Sequence, residues 1–258
     1  MGRWGRWLRG GAGVLLVVAL SEALGRAGIV HRDFLPPAST ILARAGELAL
    51  DTAFLTDVRA TLTAWALGLL IATGIAVPLG LALGTLPPVA RAVATIVEFL
   101  RPIPSVALIP LVAMLVGSGL QMKLTVIVYA SVWPVLFNTV YGLRDVDPVA
   151  RDTLRAFGFG RLAVLGRVAI PATAPFIATG VRMAAAVALI LAVTAEMFGG
   201  FGQGIGIFIA SAANYPGGTT DTLAATVWAG VLGLAINGLL RSGERRLFFW
   251  AYRGGAPG

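Results

Sequence analysis

The chain has 258 residues, of which 57% are hydrophobic and only 12% are Asp, Glu, Lys or Arg, about half the charged share of an ordinary soluble domain. Its net charge of +8 is carried by arginines at the ends of apolar runs and by a single lysine, which fits membrane orientation and argues against nucleic-acid binding. Cysteine is absent, which excludes disulfides, thiol chemistry and Cys-ligated metal. The apolar runs also lack the period-2 alternation of a barrel, so the expected fold class is all-α integral membrane, one domain over 1–258.

Six spans are predicted from the ~20-residue apolar criterion, at roughly 10–28, 60–84, 101–118, 122–142, 173–197 and 221–241. The first follows Arg3, Arg6 and Arg9 and is interrupted by Glu22 and Arg26. It reads as a retained helix, with a signal peptide as the alternative. The lone His31, beside Arg32 and Asp33, sits in a loop and offers too few ligands for a metal. The loop over 29–59 continues through Leu35-Pro36-Pro37 into an amphipathic stretch, Ser39 to Leu50, expected at the membrane surface.

In the second span Ala60, Ala64, Gly68, Ala72, Ala76, Gly80 and Gly84 put a small residue at every fourth position. Small residues at this spacing let helix backbones approach closely in lipid. Four residues overshoot a helical turn by ~40°, so the stripe should serve either a right-handed crossing or several neighbours in turn. The fifth span repeats the theme with Ala184, Ala188 and Ala192. Before the third span, Pro102 and Pro104 remove backbone donors and predict a broken entrance.

A polar interlude, Asp147 to Pro171, separates the fourth and fifth spans. Asp147 suits an N-cap, Pro148 the first helical position and Gly158 a stop, which predicts a short helix with Ala150, Leu154 and Phe157 on one face. A second helical stretch, Arg161 to Ile170, would return to the membrane at Pro171. Such an element fits a groove on another protein or the lipid headgroups, and the pattern alone leaves both open. Six spans distribute the basic residues thirteen to five between the two sides, which places both termini and the interlude in the cytoplasm. Lys123, in Gly119-Leu120-Gln121-Met122-Lys123, falls in an external loop by this count.

The interlude resembles the cytoplasmic signature of the permease subunits of bacterial ATP-binding cassette importers: Glu-Ala-Ala, three residues, Gly, nine residues, Ile-x-Leu-Pro. Asp152-Thr153-Leu154 occupies its start, Gly158 its glycine, and Val168-Ala169-Ile170-Pro171 its end. Asp replaces Glu, Thr-Leu replaces Ala-Ala, and Val and Ile stand for Ile and Leu. Other pieces are similar to the branch importing nitrate, sulfonates and taurine: Leu35-Pro36-Pro37-Ala38-Ser39, Glu98 to Pro104, Asn138, Gly180 to Met183 and Ala195-Glu196-Met197.

The resemblance implies a type I importer permease fold in the bacterial inner membrane. Asp152, Thr153, Leu154, Arg155, Ala156, Phe157 and Gly158 would form a coupling helix seated on a separate ATPase. It further implies a second permease chain, a homodimer in the simplest case, and an external solute-binding protein. No cofactor is expected, and the chain has no Gly-x-x-x-x-Gly-Lys-Ser/Thr loop of its own.

Glu98, Arg101, Arg182 and Glu196 lie within or at the edges of spans, where an ionisable group is costly unless paired or wetted. They line a pathway for a small anion or fix helix packing, and Glu98 and Arg101 are spaced to pair with one another. An ion-driven transporter or channel is the alternative to an ATP-driven permease. A membrane enzyme is disfavoured, because the spans hold no histidine, cysteine or close carboxylate pair.

Overall fold

The structure is a computed structural model that describes residues 3–27, 34–199 and 202–250, and among these it is helical with no strand. His31, Arg32 and Arg253 lie outside the described residues. In chain order the helices are α1 (Arg3–Ala27), α2 (Ala38–Leu48), α3 (Thr52–Thr85), α4 (Pro87–Leu100) and α5 (Ile109–Val116). Then follow α6 (Leu120–Arg144), α7 (Pro148–Ala156), α8 (Arg161–Val164), α9 (Ile170–Gly199), α10 (Ile205–Ala212) and α11 (Thr219–Leu247).

Local chemistry sets several of these bounds. Asp51 caps α3, accepting from Ala53 N–H at 2.8 Å, and α4 and α7 each begin on a proline, whose missing N–H costs nothing at that position. Five helical stretches are long and apolar enough to cross a membrane: α1, α3, α6, α8 to α9, and α11. The region of the expected single span over 101–118 differs: no one helix there is long enough to cross, and it is part of a bent pair, Pro88–Leu100 with Ser105–Val116. The Pro102/Pro104 break separates α4 from a 3₁₀ turn (Ser105–Leu108) leading into α5, and the two arms are bent by 80°.

The return of the interlude to the membrane also differs from the expectation. Arg161–Gly199 is a continuous helical stretch of 39 residues rather than two pieces meeting at Pro171. A π turn, Leu165–Ala169, lies just ahead of Pro171, where proline's absent N–H already interrupts the regular ladder.

The centre of the bundle is α6 between α3 and α9, its two most extensively packed neighbours. The small-residue stripe makes this possible. Ala64, Ala72 and Ala76 are fully buried, and a Cβ built on Gly80 would lie 2.7 Å from Thr139 Cβ. Gly68, Gly80 and Gly84 all meet α6, at Ile127, Thr139 and Leu143. The glycines of the stripe therefore follow α6 along its length, while Ala64 and Ala76 also join core clusters that include α9. Ala184, Ala188 and Ala192 on α9 are likewise fully buried.

At the end of the bundle remote from the interlude, α2 lies against α11. Arg44 pairs with Asp221, and Trp228 Nε1 donates to Ala45 O at 2.9 Å. α1 joins this rim through α2, where Ser39 N and Oγ donate to Glu22 at 2.8 and 2.9 Å.

Candidate functional site

The interlude folds as a short helix carried between two crossing helices. Asp147 accepts from Val149 N–H at 2.9 Å, closing the N-terminus of α7. At the other end Phe159 N–H reaches Leu154 O at 3.1 Å and Gly158 N–H reaches Arg155 O at 2.9 Å. These paired bonds form a Schellman stop that needs a left-handed residue, and Gly158 supplies it at φ +83°.

The apolar face is not the one expected. Ala150 and Leu154 are half-buried, whereas Phe157 is 78% exposed, together with Val149 and Leu162. Arg151 is the reason: it turns inward and donates through Nη2 to Leu143 O at the end of α6. That bond fixes the Ala150 and Leu154 side towards the bundle and leaves Val149 and Phe157 outside. Asp152, Thr153, Arg155 and Ala156 are exposed. The 3.2 Å Asp152–Arg155 ion pair is a surface pair that contributes little to stability.

Beneath the helix, Leu143, Val146 and Ala169 form a small core with Val168 packed on it, while Ile170 and Pro171 are exposed. α7 itself rests on α8 and the π turn, and Arg151 ties it to the end of α6.

The four intramembrane charges are not gathered in one place. Glu196 is fully buried at the far end of the bundle and accepts from Lys123 Nζ at 2.9 Å, Thr61 Oγ1 at 2.8 Å and Gly206 N–H at 3.0 Å. Around it Lys123 also donates to Gln203 O at 2.8 Å, Thr61 Oγ1 accepts from Ile205 N–H at 2.9 Å, and Asp57 accepts from Gly204 N–H at 2.8 Å. Side chains from α3 and α9 thus accept from the backbone N–H groups at the start of α10, donors that a helix N-terminus would otherwise leave unpaired, while Lys123 from α6 takes the Gln203 carbonyl. Lys123 is 6% exposed and belongs to α6, which corrects its placement in a loop. A buried cation is tolerated there because Glu196 matches its charge.

Arg182 Nε lies 3.0 Å from Glu244 Oε2 on α11, and Thr179 Oγ1 donates to Glu244 Oε1 at 2.7 Å. This clasp joins α9 to α11 at one end of an apolar cavity of about 710 Å³ between the two helices. Arg101 and Glu98 border a smaller cavity of about 250 Å³ between α4 and α6. Among the described residues they form no ion pair with one another. α4 stops at Leu100, and the Arg101 guanidinium instead lies 4.7 Å over the Phe137 ring. Phe137 belongs to a row on α6, Tyr129, Trp133, Phe137 and Tyr141, whose successive rings are in contact at four-residue spacing. Tyr129 Oη, at one end of the row, donates to Leu100 O at 2.7 Å.

Sequence reading missed Lys123, Thr61, Asp57 and Glu244. Lys123 had a usable signal: it is the only lysine in the chain and lies within an apolar stretch. The Glu244 partnership had none, because 62 residues separate it from Arg182.

A family model described as "Binding-protein-dependent transport system inner membrane component" matches residues 74–248. A nitrate import permease protein of Leptolyngbya laminosa is 30% identical over 190 residues, covering 74% of this chain and 67% of that one. A permease protein of Bacillus subtilis named for aliphatic sulfonate transport is 27% identical over 244 residues, covering 95% and 88%. A taurine transport system permease protein of Escherichia coli is 29% identical over 222 residues, covering 84% and 80%.

Proposed function

The chain belongs to the family of binding-protein-dependent transport system inner membrane components, and on that premise we propose that it is the membrane subunit of an ATP-driven importer for a small oxyanionic solute. The solute class follows the names of its relatives, which are permeases for nitrate, aliphatic sulfonates and taurine. The observation that carries the coupling role is the outward face of the interlude. Val149 and Phe157 are 70% and 78% exposed on α7 and its C-cap, a helix capped at both ends and tied to α6, and Leu162, 83% exposed, follows at the start of α8. Bare aromatic and aliphatic side chains on so rigid a mount suit a partner's groove better than water.

In this reading Asp152, Thr153, Leu154, Arg155, Ala156, Phe157 and Gly158 form the docking element for a separate ATPase. Leu154, turned inward, supports that element rather than touching the partner. A second copy of the chain completes the pathway, and an external binding protein delivers solute. Both termini and the interlude face the cytoplasm, in keeping with the arginine distribution. ATPase closure would push α7 against α6 and α9, shifting the equilibrium between two packed arrangements.

The test is reconstitution with a partner ATPase and solute-binding protein. ATP-dependent uptake should fall at least tenfold in Phe157→Asp, with the ATPase lost from the purified complex. Uptake driven by an ion gradient in ATP-free vesicles would overturn the proposal in favour of a secondary transporter.

A further inference from the structure

At the end of the bundle opposite α7, the start of α6 and the loop ahead of α10 leave a crevice of about 410 Å³ against α3. Thr56, Arg59 and Thr63 line it from α3, Gly119 and Lys123 from the start of α6, and Gln203 from the loop. The pairing of the groups around this crevice is informative. Lys123 uses two of its three N–H groups on Glu196 Oε1 and Gln203 O, and its charge is matched by Glu196. Asp57, two residues from Arg59, is committed to Gly204 N–H. Arg59 is exposed and forms no ion pair with a carboxylate among the described residues, so its guanidinium is the cationic group here with no acidic side chain in contact. Thr56 and Thr63 spend their hydroxyl protons on Thr52 O and Arg59 O, both at 2.8 Å. The cationic donors available to a guest are therefore the Arg59 guanidinium and the remaining N–H of Lys123, with the exposed Gln203 amide beside them.

We propose that this crevice is a capture site for a small oxyanion, with Arg59 its principal ligand. A guanidinium presents its N–H groups in a fixed fork that matches paired oxygens on one centre, as in nitrate or a sulfonate. A cation in a concave, partly desolvated wall also raises the local anion concentration. The proposal rests on the permease reading above. It adds a position at which solute first meets this chain, one that none of the predicted intramembrane arginines occupies.

Because the chain lacks cysteine, Thr56→Cys supplies a single thiol on the crevice wall. The complex of this chain with its ATPase, in phosphatidylcholine nanodiscs, is labelled with a neutral maleimide. Sodium nitrate or sodium methanesulfonate replaces sodium chloride at constant ionic strength. Either oxyanion should slow labelling at least fivefold. Arg59→Gln should raise the half-protecting concentration at least tenfold, and Arg59→Lys should recover part of that loss. Labelling indifferent to both oxyanions, or protection unchanged in Arg59→Gln, would overturn the site. Protection that appears without added oxyanion, and only in nanodiscs containing phosphatidylglycerol, would assign the crevice to a lipid headgroup and also overturn it. Stimulation of ATPase activity by the binding protein is measured on the same preparations. Stimulation without protection removes the capture site and leaves the permease reading standing, whereas protection without stimulation does the reverse.

Discussion

Removing the ammonium of Lys123 should cost far more than removing an ordinary membrane-surface lysine. In Lys123→Met the stem is replaced at similar volume, but Glu196, with its side chain 0% exposed, keeps only Thr61 and Gly206 as partners. Breaking a buried pair by deleting one member costs ~3–5 kcal/mol, because the other charge is left uncompensated. Glu196→Gln leaves the ammonium in the same position, with Gln203 O as its nearest full acceptor, and should cost a similar amount. The double variant Lys123→Met/Glu196→Gln buries no charge. It should therefore be less destabilised than either single variant, with a coupling of ~2 kcal/mol or more. Denaturant titration of the purified chain in detergent, read by tryptophan fluorescence, measures all three. Losses that simply add, to within ~0.5 kcal/mol, would refute the claim that the two charges compensate one another at this end of the bundle.

Three further outcomes follow from the geometry. Gly158→Val should uncouple transport and weaken ATPase co-purification while membrane insertion stays normal. The space around Gly158 is open, so the penalty is the ~1–2 kcal/mol of a left-handed backbone, and Gly158→Asn, which tolerates that conformation, should retain most activity; equal loss in both would refute the Schellman account. Gly80→Val should destabilise by ~1–3 kcal/mol through overpacking against Thr139 and Leu136 O, whereas Gly74→Ala, with nothing within 4 Å, should be neutral in the same unfolding assay. Arg182→Ala strips the clasp on Glu244, so thermal stability and recovery of the assembled complex should fall together; an intact complex with abolished uptake would instead put Arg182 in the pathway.

Features that depend on local chemistry were legible in the sequence. The limits of α7 follow from Asp147, Pro148 and Gly158, and the bend between α4 and α5 from Pro102 and Pro104, because caps and prolines act within a few residues of themselves. The small-residue stripe announced a close helix contact, but only the fold could show that its glycines meet α6. The expected orientation of α7 failed for a comparable reason. Helical spacing correctly groups Ala150 with Leu154, yet which side faces the bundle is decided by Arg151 reaching Leu143 O, a tertiary bond that periodicity does not encode.

The intramembrane charges mark the deeper limit. Composition identifies a charge in an apolar run as costly, but the compensation arrives through contacts such as Lys123 to Glu196, 73 residues apart. The same reasoning separates structural from solute-binding cations in this chain. Lys123 and Arg182 each have a buried carboxylate against them, and Arg101 has an aromatic face, so an anion approaching any of these must compete with a group already in contact. Arg59 alone among the four has neither in the described structure, and it stands beside a crevice. A cation with no acidic or aromatic group in contact is a poor packing device and a good anion ligand, and that difference, rather than depth in the membrane, makes Arg59 the residue to test for solute contact.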